Sequence, residues 1–310
     1  MNNQAAAHFA AQTQALAARF ARQRPLRAGS LLVTILGDAI APRGGTIALA
    51  SLIQLAKPFG LPDRLVRTSI GRLANEDWVA AQRNGRSSYY RLTASGKARF
   101  AEATQRIYAA PSDSWSGQWT LIFIPPALKK KRERLREELR WLGFAELTPG
   151  VFGHPSRKED AFRARLDEID PTGQLIVLER AEVTQTSDSQ LAALGWNFEA
   201  LARSYARFIK TFAPFDQGSP PAADGLTAFT LRTLLLHEYR KIHLRDPLLP
   251  VSLLPRQWVG FEAHALCRAL YAKVFAAAER HLSATVQTLH GALPAPAAEI
   301  FKRFGGLPRR

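Results

Sequence analysis

One stretch restricts this chain more than any other: residues 62–92, PDRLVRTSIGRLANEDWVAAQRNGRSSYYRL. Pro62 and Asp63 mark a helix start, because Asp caps free amides and the residues that follow turn strongly periodic. At 100° per residue, Leu65, Val66, Ser69, Ile70 and Leu73 share one side. Arg64, Arg67, Thr68, Gly71, Arg72 and Asn75 share the other. A short apolar run leads to Asn84-Gly85, which between alternating residues predicts a two-residue type I′ hairpin. That turn sets Arg83 opposite Arg86 and Val79 opposite Tyr90. Like charges facing each other at a hairpin tip are unfavourable in isolation, but are reasonable where phosphates lie between them.

Exposed arginine on a helix is usually a solvated face. Here the order of parts argues for more: two apolar helices come first, the arginines align, and the hairpin carries arginine only around its tip. Together these read as a winged helix-turn-helix, with Arg64, Arg67, Thr68, Arg72 and Asn75 toward the major groove of double-stranded DNA and Arg83 and Arg86 on backbone phosphates. Charge supports this. Of the net +16, residues 1–110 carry +10, residues 111–182 none and residues 183–310 +6. The excess belongs to the segment with the helix and hairpin, as one DNA-facing module requires.

At 310 residues the chain exceeds one compact core, and 46% apolar residues exclude wholesale disorder. A single cysteine, Cys267, excludes an internal disulfide and any multi-cysteine metal site, and fits a reducing, cytoplasmic compartment. No apolar run approaches a membrane span.

The fold class expected is multidomain α+β, in five consecutive parts. Residues 1–25 are an arm, helical or frayed, ended by Pro25. Residues 26–110 are the winged helix. Residues 111–184 hold strands at 119–124, 144–147, 151–154 and 175–179, with helices at 128–142 and 158–169. This β-α-β-β-α-β order is that of a ferredoxin-like unit. The run Lys129-Lys130-Lys131-Arg132 is read as a solvated face, since Lys129–Glu133 and Arg134–Glu138 are opposite-charge pairs at i,i+4. Residues 185–285 are all-helical, with helices at 191–212, 226–244 and 261–282 whose aromatics keep the helical period of a core. Residues 286–310 are a basic tail, Ala/Pro-rich and expected to be loosely ordered.

With these parts in place, the chain resembles the PaaX family of bacterial repressors of phenylacetate catabolism. The resemblance rests on LVRTSIGRL, GRSSYYRLTASG, the ferredoxin-like middle, and above all LLHEYRKIHLRDPLLPVSLLPRQWVG at 234–260 followed by LCRALY. It implies a homodimeric transcriptional repressor that binds a palindromic operator and is released by an aryl-acetyl-CoA effector, typically phenylacetyl-CoA. The middle part also resembles the Cas2 nuclease fold. Those nucleases place an Asp at the end of the first strand, where this chain has Ile124-Pro125-Pro126, so nuclease chemistry does not carry over.

A CoA thioester presents phosphates, which suit Arg and Lys, and an acyl group, which suits an apolar pocket. Residues 237–260 offer His237, Tyr239, Arg240, Lys241, His243, Arg245, Arg256 and Trp258. The alternative is open: Arg245-Asp246-Pro247 as a turn lock and Trp258 as core. His237 and His243 are six apart and cannot share one face of a straight helix, so no zincin-type metal site is expected. No nucleophile–base pair is evident, so no catalytic residues and no cofactor are assigned. Two rivals stand beside the repressor: an enzyme acting on acyl-CoA, and a nonspecific nucleic-acid-binding or nuclease protein of the Cas2-like fold.

Overall fold

A computed structural model describes residues 2–109, 115–155, 166–170, 172–216 and 224–307. In chain order the elements are α1 (Asn2–Ala21), α2 (Ala28–Ile35), β1 (Thr46–Ala48), α3 (Leu49–Ala56), α4 (Asp63–Asn75), β2 (Val79–Asn84), β3 (Ser87–Leu92) and α5 (Ala94–Tyr108). Then come β4 (Trp119–Phe123), α6 (Arg132–Trp141), β5 (Ala145–Thr148), β6 (Val151–His154), β7 (Ile176–Ala181), α7 (Asp188–Gly195) and α8 (Phe198–Phe212). The chain closes with α9 (Gly225–His243), α10 (Val259–Thr285), β8 (Gln287–Thr288) and β9 (Gly291–Ala292). The result is mixed α and β, rich in helix, with antiparallel sheets. No helix among the described residues is long and apolar enough to cross a membrane.

The chain groups into two units that do not follow it in order: residues 1–110, 206–245 and 262–310 form one, and residues 111–205 and 246–261 the other. The expected segment 185–285 is therefore divided: its residues 206–245 and 262–285, with α9 and most of α10, share a unit with the segment 26–110, and its residues 185–205 and 246–261 belong to the other.

In the first unit, α1 resolves the choice between helix and frayed arm. Phe9, Thr13, Ala17 and Phe20 are buried at helical spacing, a stripe that packing can hold. Leu31, Leu32 and Ile35 of α2, Leu52, Leu55 and Ala56 of α3, and Val66 and Ile70 of α4 close the next layer. The helix begun by α2 widens into a π-turn over Leu36–Ile40, a form often found at functional positions. Asp38 lies in it.

The tail departs from expectation. Residues 286–307 are packed, not loose: Val286, Leu293, Ile300, Phe304 and Leu307 are buried, and the Ala297 amide donates to the Pro42 carbonyl at 2.8 Å. Five apolar side chains in a sparse stretch suffice because Arg303 is drawn in as well.

The second unit holds a four-stranded antiparallel sheet in the order β5-β6-β4-β7. Ile122, Phe152, Leu135, Leu139 and Leu142 bring α6 onto its face. The helix predicted at 128–142 starts later, since Pro126–Lys131 is 3-10. The helix predicted at 158–169 lies outside the described residues except for its last turn, as does the Lys129 side chain. On α6, Arg136 pairs with Glu133 at 3.1 Å and Glu146 at 2.7 Å, and Arg140 with Glu146 at 3.2 Å. These are contacts of a charge-balanced face. The helix predicted at 191–212 is two. Asn197 Oδ1 accepts from the Ala200 amide at 2.9 Å, capping α8, while Gly195 sits so close to Ala145 that an added Cβ would come within 2.5 Å. Trp119, Ala192, Leu249 and Leu253 form a second core.

Candidate nucleic-acid interface

The elements around α4 set its orientation. Val66, Ser69, Ile70 and Leu73 are buried and Leu65 is half-buried, so four of the five predicted inner residues pack fully. Asp63 is not the cap: Pro62 is the residue before the first turn, and no side chain caps the helix. Asp63 instead sits in the first turn, where a carboxylate faces the positive end of the helix dipole. The helix ends at Asn75 with Glu76 as its C-cap, and the next residue, Asp77, has a φ of +58°, the left-handed conformation that Asp tolerates better than most residues.

The opposite face is open. Arg64, Arg67, Thr68, Arg72 and Asn75 are all exposed. At Gly71 an added Cβ would meet nothing within 4 Å. Thr68 Oγ1 donates to the Arg64 carbonyl at 2.9 Å, which leaves its lone pairs to accept.

The hairpin follows immediately, and its register corrects the expectation. Asn84 pairs with Ser87, Arg83 with Ser88 and Val79 with Leu92, so the two turn residues are Gly85 and Arg86. Gly85 has φ +57°, and Arg86 is not in the left-handed region. This is the type II′ pattern, which needs positive φ only at its first central residue and gives it to glycine. A type I′ turn would have required it of Asn84 too. Arg83 and Arg86 do not face each other, and no like-charge pair has to be offset. Both are exposed, as is every residue from 80 to 87, while β3 pairs with β1 to anchor the hairpin's base. Among the described residues, none of Arg64, Arg67, Arg72, Arg83 and Arg86 lies within ion-pair distance of a carboxylate. Five cations on a helix face and a hairpin tip are left for an external anion.

The C-terminal stretch is used differently. His237 is buried, its Nδ1 sharing a hydrogen bond with Thr34 Oγ1 at 2.9 Å and its ring edge-on to Phe20 at 5.5 Å. Burial first, then Arg240 and Lys241, push its pKa down to about 3. Arg240 donates to Thr34 Oγ1 at 2.7 Å and to the Ser30 carbonyl at 2.6 Å, and burial lowers its pKa to about 10. His243 Nε2 meets the Arg106 carbonyl at 3.0 Å. A carbonyl only accepts, so Nε2 carries the proton and Nδ1 accepts from the Tyr239 hydroxyl at 3.1 Å. His264 Nδ1 lies 3.0 Å from the same hydroxyl. Lys241 pairs with Glu238 at 3.2 Å. In the second unit, Trp258 packs on Phe198 and Tyr205 at 5.8 and 6.1 Å. Asp246 accepts from the Tyr205 hydroxyl at 2.8 Å and the Leu248 amide at 2.9 Å, as a turn lock does. Of the eight candidate effector residues, Arg245 and Arg256 are exposed, one in each unit, and His237, Tyr239, Arg240, His243 and Trp258 are engaged in holding the fold.

A polar cluster that the sequence reading did not single out lies in the first unit. Asp38 accepts from Arg232 Nε, Arg303 Nη1, the Tyr108 hydroxyl and the Tyr271 hydroxyl, each at 2.7 Å. Arg232 and Arg43 both pair with Glu279, at 2.5 and 3.1 Å. Burial alone would raise the Asp38 pKa, but Arg232, Arg303 and Tyr108 hold it below the ordinary carboxylate value. The cluster joins the segment after α2 to α5, α9, α10 and the tail. Its sequence signal is a lone charge inside an apolar run, as in SLLVTILGDAI and LTAFTLRTLLL. Among the described residues no group of three or more His, Cys, Asp and Glu is placed to hold a metal ion.

Comparison with known proteins finds matches over most of the chain. Residues 27–96 match the PaaX-like protein family, residues 112–192 the PaaX protein central Cas2-like domain, and residues 196–284 the PaaX-like protein C-terminal domain. Over 289 residues the chain is 36% identical to the transcriptional repressor PaaX of Escherichia coli strain K12, spanning 91% of this chain and 92% of that one. An uncharacterized protein from Mycobacterium tuberculosis, Rv0674, shares the fold with a TM-score of 0.50 at 21% identity, over 79% of this chain and 96% of that one. On these grounds the chain belongs to the PaaX family of transcriptional repressors.

Proposed function

We propose that the chain represses an aromatic-acid catabolic operon of the phenylacetate type by binding its operator as a homodimer. In this reading α2, α3 and α4 with the β2–β3 hairpin are a winged helix-turn-helix. α4 enters the major groove with Arg64, Arg67, Thr68, Arg72 and Asn75, and the hairpin lays Arg83 and Arg86 on the backbone. One observation carries it: all seven residues are exposed, and the five arginines among them lack carboxylate partners within the described part of the chain. Two protomers related by a twofold axis would read the two halves of a palindrome.

An aryl-acetyl-CoA such as phenylacetyl-CoA would release the protein from DNA by binding its DNA-free geometry more tightly. The buried contacts of His237, Tyr239 and His243 leave an exposed cation, Arg245 of the first unit or Arg256 of the second, as the member of the 237–260 stretch suited to CoA phosphates.

The test uses a duplex selected from a random library by the wild-type protein. Arg67→Ala with Arg72→Ala should each remove about 1–3 kcal/mol of discrimination against random DNA. Unchanged binding at fixed salt overturns the α4 assignment. Phenylacetyl-CoA should then dissociate the complex, while free phenylacetate and free CoA should not. No release and no thermal shift removes that ligand.

A further inference from the structure

The family matches begin at residue 27, yet α1 is firmly seated. Phe20 meets Phe59 edge-on at 6.4 Å, and Phe9 meets Phe215 at 5.7 Å. At the end of α1, Ala21 lies against Gly60: a Cβ built on that glycine would come within 2.6 Å of the Ala21 methyl. Gly60 also has φ +69°, so two independent constraints keep glycine there and let the arm approach. Gly60 belongs to the turn that feeds α4, which starts three residues later at Asp63. The end of α1 is therefore placed beside the N-terminal end of α4. In a helix-turn-helix on duplex DNA, that end of the recognition helix points into the groove, and the residues around it lie over the phosphates that flank the bases it reads.

Positive charge is what the arm brings there. Arg22 and Arg24 are exposed just past α1, and Lys57 is exposed in the turn that contains Gly60. No Asp or Glu occurs in the chain before Asp38. Arg24 Nη1 donates to the Ala21 and Gln23 carbonyls, both at 2.9 Å, which satisfies the negative end of the helix dipole and fixes this guanidinium at the contact. That local role accounts for one cation. Arg22 and Lys57 have no carboxylate within ion-pair distance among the described residues.

We propose that Arg22, Arg24 and Lys57 form a second phosphate-binding patch, which extends the duplex footprint of each protomer beyond the base pairs that α4 reads. The patch rests on the reading that α4 docks on DNA. It contributes affinity without sequence information, because it meets backbone and not base edges.

The experiment compares the full-length wild type with the triple variant Arg22→Gln, Arg24→Gln, Lys57→Gln. The probes are the library-selected sequence in a duplex with long flanks, the same sequence trimmed of its flanks, and random duplex. On the long duplex the variant should lose about 2–3 from the slope of log K against log salt, at roughly 0.9 per phosphate contact. Selected and random DNA should weaken by the same factor, so preference is kept, and on the trimmed duplex variant and wild type should agree. An unchanged slope on the long duplex, or an equal loss with and without flanks, overturns the patch while leaving α4 in place. A wild type that selects no sequence and binds no duplex overturns both.

Discussion

The first unit uses arginine in two opposite ways. Arg64, Arg67 and Arg72 stand exposed on α4, with no carboxylate within ion-pair distance among the described residues. Arg43, Arg232 and Arg303 are buried and converge on Asp38 and Glu279. The difference follows from desolvation. A guanidinium taken out of water costs several kcal/mol and is held only where carboxylates and hydrogen bonds compensate it. On the surface that cost is absent, so a cation can stay unpaired until an anion arrives. Paired and buried, arginine ties elements together; exposed and unpaired, it waits for a partner.

Removing one carboxylate strains this comparison hardest. Asp38→Asn leaves Arg232 and Arg303 buried against a neutral amide and should cost about 3–5 kcal/mol of stability, read by urea unfolding. Arg67→Ala should change stability by less than about 0.5 kcal/mol. If the two variants unfold alike, the distinction between the two arginine sets is wrong.

Acid gives a smaller, graded effect. His237 and His243 are held neutral in the fold, with pKa values pushed down to about 3 and about 4, chiefly by burial. Their unfolded values lie near 6.5, so below that pH the unfolded chain binds protons that the folded chain does not. Stability is therefore fully present above about pH 6.5 and falls as pH drops toward 4, by at most about 1.4 kcal/mol per pH unit for each histidine. His237→Asn should flatten the fall. A stability unchanged between pH 7 and pH 5 would mean that these rings are not held neutral. α4 carries no histidine, so Arg67→Ala should leave the slope as it is.

The finest test lies at Gly71. Its Cβ position is empty, so Gly71→Ala should raise stability by about 1 kcal/mol through helix propensity alone. In the proposed docking the new methyl stands where the α4 backbone faces DNA, and operator affinity should drop. A variant both more stable and tighter-binding would place Gly71 away from the duplex.

How much was legible depends on how far apart the cooperating residues lie. The two faces of α4 could be read directly, since period and charge coincide within one short helix. The hairpin was legible as a hairpin, but its register was not. Asn84-Gly85 signals a turn, yet pairing depends on which residue takes positive φ, and Gly85 alone takes it. The Asp38 cluster was not assembled from sequence, because Arg232 and Arg303 lie 194 and 265 residues from Asp38. The lone charges in apolar runs hinted at a buried partner without naming it. For the same reason His237, Tyr239 and His243 read as effector contacts, and only Trp258 and the Arg245-Asp246-Pro247 turn carried a core or turn-lock alternative.

By itself the amino-acid order determined most of the helices and strands, which face of α4 is apolar, and that its cations outnumber local acids. These are short-range properties, governed by side-chain periodicity and turn chemistry. Only the tertiary structure decided which charges are buried and paired, that the tail after α10 joins the core through Arg303, and that α1 ends against the turn before α4. Those outcomes depend on distant segments meeting, where desolvation leaves a charged group stable only beside the partner that the fold delivers.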